Sequence, residues 1–290
     1  MSYDIRNKRV AGLREGSSSR QPGIATQQEQ EVPDNQERSE VIEQYVIPAL
    51  AELVGTFVFV FIGAGSIVTN ASTQGAIGLL GIALAHGLAL SVLISALGAT
   101  SGAHFNPAVT IGFIVTKRMV PSVGIAYIVA QLAGATLSGL LLQAIFPQAV
   151  WQAAQLGTPG LAPNVSFGTG ILVETILTFF LLLAIFGTAV DERAPKIGGF
   201  GIGLTVLVDI LVGGPLTGAA MNPARTFGPA LAGGFWQNNL VYWIGPIIGA
   251  VMAVLFYEYV ILRLRKRNDN DQPPRRQFMS LNSFRNQDFQ

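Results

Sequence analysis

Two stretches of this chain repeat one another and decide its fold. Ser101-Gly-Ala-His-Phe-Asn-Pro-Ala-Val-Thr-Ile-Gly112 aligns without gaps with Thr217-Gly-Ala-Ala-Met-Asn-Pro-Ala-Arg-Thr-Phe-Gly228, and seven of the twelve aligned residues are identical. A second match lies upstream in each half, where Glu52-x-x-x-Thr56-Phe57 corresponds to Glu174-x-x-x-Thr178-Phe179. Two matches in the same order indicate that the chain is an internal duplication.

The composition of the chain is that of a membrane protein. Of its 290 residues 50% are hydrophobic and only 12% are charged, half of the roughly 25% expected of a soluble domain. The mean hydropathy is +0.46. A net charge of +1 gives no support to a nucleic-acid partner. The absence of cysteine excludes disulfide bonds, thiolate metal sites and cysteine nucleophiles.

Six apolar stretches are long enough to cross a bilayer, which takes about 20 residues. They lie at about 49–69, 77–98, 123–145, 168–190, 198–214 and 240–262. Two shorter apolar segments, at about 106–115 and 222–232, each begin with Asn-Pro-Ala and are predicted to be re-entrant half-helices. Each half has three spans, and because three is odd the second half must be inverted relative to the first. The predicted fold class is therefore an all-α membrane protein with six transmembrane helices, two re-entrant half-helices and an inverted 3+3 repeat.

The distribution of Lys and Arg predicts the orientation of these spans. With six spans, 17 of the 18 basic residues fall on one face, which is therefore predicted to be cytoplasmic together with both termini. The chain divides into a disordered polar N-terminal tail at 1–46, a membrane domain at 47–262 and a cytoplasmic C-terminal tail at 263–290. Repeat one covers about 47–146 and repeat two about 167–262.

The two Asn-Pro-Ala boxes are predicted to start two helices halfway through the membrane. They consist of Asn106, Pro107 and Ala108, and of Asn222, Pro223 and Ala224. Each asparagine occupies an N-cap position, and each proline follows at the first helical position, where its missing N–H costs nothing. A helix N-terminus carries roughly half a positive elementary charge. Two of them facing one another would repel cations and protons but leave neutral water unaffected.

The backbone leading into each box is non-helical at membrane depth, and such backbone is tolerated only where it lines a wet cavity. Its carbonyls would form a ladder of acceptors for water, contributed by Gly102, Ala103, His104, Gly218, Ala220 and Met221. The asparagine amides add hydrogen-bond donors. His104 has no second ligand at a suitable spacing, so no metal site is expected there.

Arg225 lies inside an apolar segment, where an arginine is costly unless it is paired or hydrated. The only acid near it in the sequence is Asp209, which has no counterpart in the first repeat and is assigned no role. A structural salt bridge is the plainer alternative. The cost of burial favours a place on a solute pathway instead.

On its paired boxes the chain resembles the aquaporin or major intrinsic protein family across roughly residues 45–262. The resemblance implies a passive water channel without catalysis or cofactor, which lies in a lipid bilayer as a homotetramer with one pore per subunit. It implies that Glu52 and Glu174 brace the loops before the boxes. By the family's spacing, the selectivity filter consists of His86, Ile210, Ala219 and Arg225. This filter is similar to that of plant tonoplast intrinsic proteins, whereas animal water channels usually carry Phe and His at the first two positions.

Three other functions remain open. A facilitator of glycerol or other small neutral solutes usually carries Asp after the box arginine, where this chain has Thr226. Ala230 and the Tyr242-Trp243 pair also match the water-selective pattern of the family. An ion-coupled carrier would use the two buried glutamates as proton relays, and a purely structural membrane protein would need no pore. The leading prediction is a water channel, with ammonia or hydrogen peroxide as further solutes.

The tails and loops bear on the choice of membrane. The polar N-terminal tail is longer than is usual in tonoplast proteins, which favours the plasma membrane over the vacuole. Asn70-Ala-Ser72 and Asn164-Val-Ser166 match the acceptor pattern for N-glycosylation. Both are predicted on the non-cytoplasmic side, close to the membrane surface.

Overall fold

The computed structural model describes residues 38–39, 41–195 and 197–263. Within these residues all regular secondary structure is helical. Most of the two predicted tails, 1–46 and 263–290, lies outside the described residues. Residues 38–39 and 41 are already helical, and the first delimited helical element begins at Ile42, inside the segment predicted as a tail, because the apolar residues Ile42 and Val46 continue the first apolar run toward the N-terminus. The first helical segment therefore starts earlier than the predicted boundary at residue 47.

Nine α-helices are present in the described part of the chain. They are α1 (Ile47–Ser72), α2 (Gly78–Ser101), α3 (Pro107–Val115), α4 (Pro121–Ile145), α5 (Gln148–Ala153), α6 (Phe167–Ile185), α7 (Phe200–Thr217), α8 (Pro223–Gly233) and α9 (Val241–Phe256). π-helical turns precede α1 at Ile42–Val46 and follow α6 at Phe186–Val190 and α9 at Tyr257–Leu262. With these turns included, α1, α2, α4, α6, α7 and α9 are long and apolar enough to cross a membrane. The six predicted spans are therefore confirmed, and α3, α5 and α8 are the short helices between them.

A left-handed glycine ends the helix ahead of each Asn-Pro-Ala box. α2 is followed by Gly102 with φ 84°, and α7 by Gly218 with φ 83°. Glycine adopts this conformation without the steric cost of a Cβ. The chain then crosses a short non-helical loop and starts a half-helix at Pro107 or Pro223. The two repeats therefore turn the chain in the same way.

Close contacts between helix backbones fix the bundle. A Cβ on Gly134 of α4 would meet a backbone carbonyl of α1, and a Cβ on Gly249 of α9 would meet a backbone carbonyl of α6. α2 and α7 also cross closely, because a Cβ on Gly87 would lie 2.6 Å from the carbonyl oxygen of Gly203. Small residues at such crossings let the helices of membrane proteins approach one another. The α1–α4 and α6–α9 pairs thus form equivalent crossings in the two repeats.

The outside of the bundle is apolar and its inside carries polar side chains. Val92 and Val212 are 66% and 70% exposed, whereas Glu52 and Glu174 are completely buried. Large apolar side chains on the outside suit a surface covered by lipid, and buried charged groups in a membrane protein face the bundle interior. The chain is an integral membrane protein with several spans, and its polar interior is where a functional site must be sought.

Candidate functional site

The loops before α3 and α8 share an unusual backbone. We call residues 102–105 loop 1 and residues 218–221 loop 2. Their left-handed φ angles are 84° at Gly102, 52° at Ala103, 48° at Phe105, 83° at Gly218, 46° at Ala219 and 52° at Met221. A non-glycine residue in this region costs about 1–2 kcal/mol. Contacts from neighbouring helices must therefore hold both loops in place.

Glu52 of α1 holds loop 1. Its carboxylate accepts hydrogen bonds from the backbone N–H groups of His104 at 2.8 Å and Phe105 at 2.6 Å. It also accepts from Ser101 Oγ at 2.7 Å and Gln131 Nε2 at 2.8 Å. A completely buried carboxylate is tolerated where hydrogen bonds replace its hydration shell. Four donors do so here, and the carboxylate in return satisfies two loop amides.

Glu174 of α6 holds loop 2 in the same way. Its carboxylate accepts from the N–H groups of Ala220 at 3.0 Å and Met221 at 2.7 Å, and from Thr217 Oγ1 at 2.6 Å. Each of these contacts has a counterpart at Glu52, with Thr217 in the place of Ser101. The positions of both carboxylates are those expected of residues that brace the loops.

Two tyrosines close the ends of α2 and α7, a role that sequence reasoning missed. Tyr127 OH donates to the carbonyl of Ser101 at 2.8 Å, and Tyr242 OH donates to the carbonyl of Thr217 at 2.7 Å. The spacing between the two tyrosines is nearly that between the two boxes. A search for a further repeated position in α4 and α9 would have found them.

The two box asparagines cap their own half-helices. Asn106 Oδ1 accepts from the N–H of Ala108, and Asn222 Oδ1 accepts from the N–H of Ala224, both at 2.9 Å. Both asparagines have extended backbone, with φ −157° and −152°. This is the usual geometry of an N-cap.

The same asparagines also connect the two repeats. Asn106 Nδ2 donates to the carbonyl of Met221 in loop 2, and Asn222 Nδ2 donates to the carbonyl of Phe105 in loop 1, both at 2.8 Å. The N-termini of α3 and α8 therefore approach one another in the middle of the molecule. Because a primary amide carries two N–H groups, these contacts use only one donor of each asparagine.

Arg225 of α8 is tied to a histidine and a backbone carbonyl. Its Nε donates to His86 Nε2 at 3.2 Å, and its Nη1 donates to the carbonyl of Gly157 at 2.8 Å. The residue is 2% exposed and forms no ion pair with a carboxylate among the described residues. Asp209 is therefore not its partner, and the structural salt bridge considered from the sequence is absent from this part of the chain.

The hydrogen bonds of His86 define its tautomer. Nδ1 lies 2.9 Å from the carbonyl oxygen of Ile82, which can only accept, so Nδ1 carries the proton. Nε2 accepts from Arg225 and therefore carries none. His86 is a neutral imidazole that joins α2 to the guanidinium of α8.

A cavity of about 1780 Å³ connects the basic end of the molecule, around Lys117, Arg118 and Arg193, with His86. The predicted site residues that line it are His86, Gly102, Ala103, His104, Asn106, Ile210, Ala219, Ala220, Met221 and Asn222. Gly218 and Arg225 do not line it. Gly218 packs against Pro159, because a Cβ built there would lie 3.0 Å from Pro159 Cβ. Three of the four predicted filter residues, His86, Ile210 and Ala219, therefore line this cavity. The fourth, Arg225, is hydrogen-bonded to one of them, His86.

His104 lies on the cavity wall and packs among neighbours of its own repeat. Its Nδ1 is 3.1 Å from Thr110 Oγ1, and its ring centroid is 4.4 Å from that of Phe113. Across the described residues, no three His, Asp or Glu side chains come together as metal ligands would. The site is built instead from caps, carbonyls and one hydrogen-bonded arginine.

Comparison with known proteins shows which family has this arrangement. Residues 41–257 match the family described as Major intrinsic protein (MIP). Aquaporin TIP4-4 of Zea mays is 44% identical over 219 residues, which cover 72% of this chain and 84% of that protein. Aquaporin-8 of Mus musculus is 39% identical over 221 residues, which cover 76% of this chain and 84% of that protein.

A solved structure shows the same fold. The X-ray structure of the aquaglyceroporin from Plasmodium falciparum matches with a TM-score of 0.67 at 29% identity, covering 77% of this chain and 99% of that chain. The family match spans both repeats and both boxes, and the chain accordingly belongs to the major intrinsic protein family of membrane channels.

Proposed function

We propose that this chain is a passive water channel that excludes protons and ions. The observation that carries the proposal is the meeting of the N-termini of α3 and α8 at Asn106 and Asn222, both of which line the long cavity. A helix N-terminus is a centre of partial positive charge. Two such centres at one point of a pore oppose hydronium and metal cations while a neutral molecule passes.

The asparagines also orient the water that passes between them. Each has one amide N–H that neither its cap nor its bond to the other repeat uses. A water oxygen that accepts from both amides directs its own hydrogens along the pore, one toward each side. Such a water cannot accept a hydrogen bond from a neighbouring water in the file, so the chain of donors needed for proton relay is interrupted.

The planarity of the peptide bond indicates which loop carbonyls can accept hydrogen bonds from the single file of water molecules in the proposed pore. In a trans peptide, a carbonyl points opposite to the N–H of the next residue. Because the N–H groups of His104 and Phe105 point to Glu52, the carbonyls of Ala103 and His104 point away from it. By the same reasoning, the carbonyls before the two amides held by Glu174 point away from that glutamate.

These carbonyls form the proposed acceptor ladder. Its members are Ala103, His104, Ala219 and Ala220. The sequence placed Met221 in the ladder, but its carbonyl accepts from Asn106 Nδ2. It also placed Gly218 there, a residue that does not line the cavity. In the second repeat we therefore prefer the carbonyl of Ala219 to those of Gly218 and Met221 as a member of the ladder.

The pair of His86 and Arg225 forms the proposed selectivity filter together with Ile210 and Ala219. An arginine has five N–H donors, and two of them are used by His86 and Gly157. The other three can bind water that sheds its neighbours on entering the constriction. The fixed positive charge of Arg225 repels cations at the same place.

A facilitator of small neutral solutes is the second candidate, since a solved structure that matches this chain is that of an aquaglyceroporin. We favour water because two of the four proposed filter residues, His86 and Arg225, are polar and bonded to one another, and because Thr226 stands where facilitators usually carry Asp. Ammonia and hydrogen peroxide, which are close to water in size and polarity, are expected as further solutes.

Stopped-flow measurements on proteoliposomes test the proposal. We expect osmotic water permeability well above that of empty liposomes, with a low activation energy, and little glycerol or urea uptake in the same preparation. A saturable flux driven by an ion gradient would indicate a carrier. Glycerol uptake as fast as that of water would favour the facilitator. Uptake of water, glycerol and urea no faster than in empty liposomes would reject both channel proposals.

The assembly and the membrane complete the proposal. We propose a homotetramer with one pore per subunit, on family grounds, and the exposed apolar face around Val92 and Val212 can pack on lipid or on another subunit.

We propose that both termini lie in the cytoplasm, because the basic residues lie on that face. We propose the plasma membrane as the location, because of the polar N-terminal segment. Light scattering in detergent tests the tetramer, and imaging of the tagged full chain tests the membrane. A location in an internal membrane would contradict the second statement.

A further inference from the structure

Gly63 of α1 lies directly against the ring of His86. A Cβ built on Gly63 would be 2.5 Å from His86 Nε2, 2.6 Å from Cδ2 and 3.1 Å from Cε1. Contacts below about 3.0 Å are not found for real Cβ atoms. Any side chain at residue 63 would therefore have to displace the imidazole. The atom it meets first is the one that accepts from Arg225.

The imidazole has little freedom to give way without losing its bonds. Nδ1 is held by the carbonyl of Ile82 and Nε2 by Arg225. Phe59, one turn before Gly63 on α1, packs edge-to-face with the imidazole, with the ring centroids 6.0 Å apart. His86 is 4% exposed. A shift that relieved contact at Gly63 would break the hydrogen bond to the guanidinium.

The internal repeat shows that helix packing does not by itself demand a glycine at this position. Aligning Glu52 with Glu174 places Gly63 opposite Ile185, and Gly65 opposite Gly187. A glycine is thus present in both repeats at the second position but only in the first repeat at residue 63. The repeat that carries the filter histidine is the one that lacks a side chain there.

We propose that Gly63 is a positioning residue of the filter, whose missing side chain leaves the space in which His86 turns Nε2 toward Arg225. The proposal rests on the filter role given to His86 and Arg225 above. It identifies residue 63 as a determinant of selectivity that does not touch the solute, because it acts through the position of the imidazole.

Four reconstituted proteins test this: the wild type, Gly63→Ala, His86→Ala and the double variant. The readout is the ratio of water to ammonia permeability in proteoliposomes, which does not depend on the amount of protein inserted. We expect Gly63→Ala to change the ratio about threefold or more, since filter groups must be held within roughly 0.5 Å. In the His86→Ala background the same change has no effect, because the ring that the methyl group meets is gone.

Gly65→Ala is the matched control. A Cβ there would meet only Leu142 Cδ2 at 3.2 Å, on the side of α4, so the permeability ratio stays at the wild-type value. Thermal unfolding of all five proteins provides a second measurement. If Gly63→Ala lowers the melting temperature of the wild type, it should lower that of His86→Ala much less, because the imidazole is absent there. This comparison can be made in detergent even if the single variant is too unstable to reconstitute.

Two results would overturn the proposal. One is a water-to-ammonia permeability ratio in Gly63→Ala equal to that of the wild type. The other is a change in this ratio, or a loss of melting temperature, that alanine at residue 63 causes equally in the wild type and in His86→Ala. Failure of the proposed function would look different, because the wild type itself would then show no water permeability above empty liposomes.

Discussion

Loop 1 and loop 2 hold their backbones with the same contacts, but the half-helices that follow them carry different side chains. In each, a buried glutamate accepts from two successive amides and from the hydroxyl at the end of the preceding span. In each, the box asparagine donates to a carbonyl of the other loop. The difference lies after the box, where repeat one has Val109 and repeat two has Arg225.

This difference separates two tasks in the proposed channel. The features that both repeats share place two helix N-termini face to face, which opposes protons and cations of any size. The bond between His86 and Arg225 occurs at one end only, and we propose that it forms the solute filter there. In this proposal the symmetric contacts exclude charge, and the asymmetric side chains select among neutral molecules.

The largest effect is expected where the two loops are alike, at their braces. Glu174→Ala removes the carboxylate that two loop amides and Thr217 Oγ1 donate to, and Glu52→Ala removes the one that two loop amides, Ser101 Oγ and Gln131 Nε2 donate to. The loop amides then have no acceptor, whereas Thr217 and Gln131 each keep a second one. Each orphaned donor costs about 1–3 kcal/mol, so both variants should lose most of their folded protein and their water permeability. Thermal unfolding in detergent measures this. Stability close to wild type in either variant would contradict the role given to that glutamate.

Replacing the arginine that only repeat two has should alter selectivity without unfolding the protein. Arg225→Val removes the charge and the bond to His86, and we expect urea and ammonia permeability relative to water to rise about tenfold, equivalent to ~1.4 kcal/mol. Val109→Ala, at the equivalent position of repeat one, is the matched control and should shift the ratio by less than about twofold. Equal shifts in the two variants would remove the asymmetry.

The box asparagines should behave as a matched pair. Asn106→Ala and Asn222→Ala each lose a cap, worth about 1 kcal/mol, and one bond to the other repeat. We expect water permeability to fall by a similar factor in both, about threefold. Asn164→Ala, at an exposed site near the start of α6, should leave it unchanged. A loss confined to one box would show that the two helix ends do not act together.

The smallest effect is expected at the basic end, where the wall of the cavity is partly solvated. Arg118 Nε lies 2.5 Å from Glu258 Oε1, with the side chains 35% and 23% exposed. Ion pairs this accessible contribute less than about 1 kcal/mol. Glu258→Gln should therefore change neither the melting temperature by more than a few degrees nor the permeability. A large loss of permeability would place a second constriction at that end.

Much of the fold could be predicted from the sequence because membrane spans are long and the repeat is explicit. The six spans and the two half-helices follow from apolar length and from the Asn-Pro-Ala boxes. Glu52 and Glu174 could be singled out because a buried acid in the same place twice needs donors nearby. Local chain chemistry was sufficient for these residues.

Contacts between distant segments could not be predicted in this way. Gly157, which accepts from Arg225, lies in the connection between α5 and α6, and no pattern in that connection marks it. The sequence also does not show that Asn106 Nδ2 donates to the carbonyl of Met221 in loop 2. The bond between His86 and Arg225 likewise depends on the crossing of separate helices.

In the proposed channel the two capped helix ends pass water and stop protons. Water flux and proton flux can be measured in the same proteoliposomes, with an osmotic step and then a pH step across the membrane. We expect water permeability many times that of empty liposomes and a proton flux equal to theirs. A proton flux that rises in proportion to the protein content, or a water permeability no greater than that of empty liposomes, would contradict it.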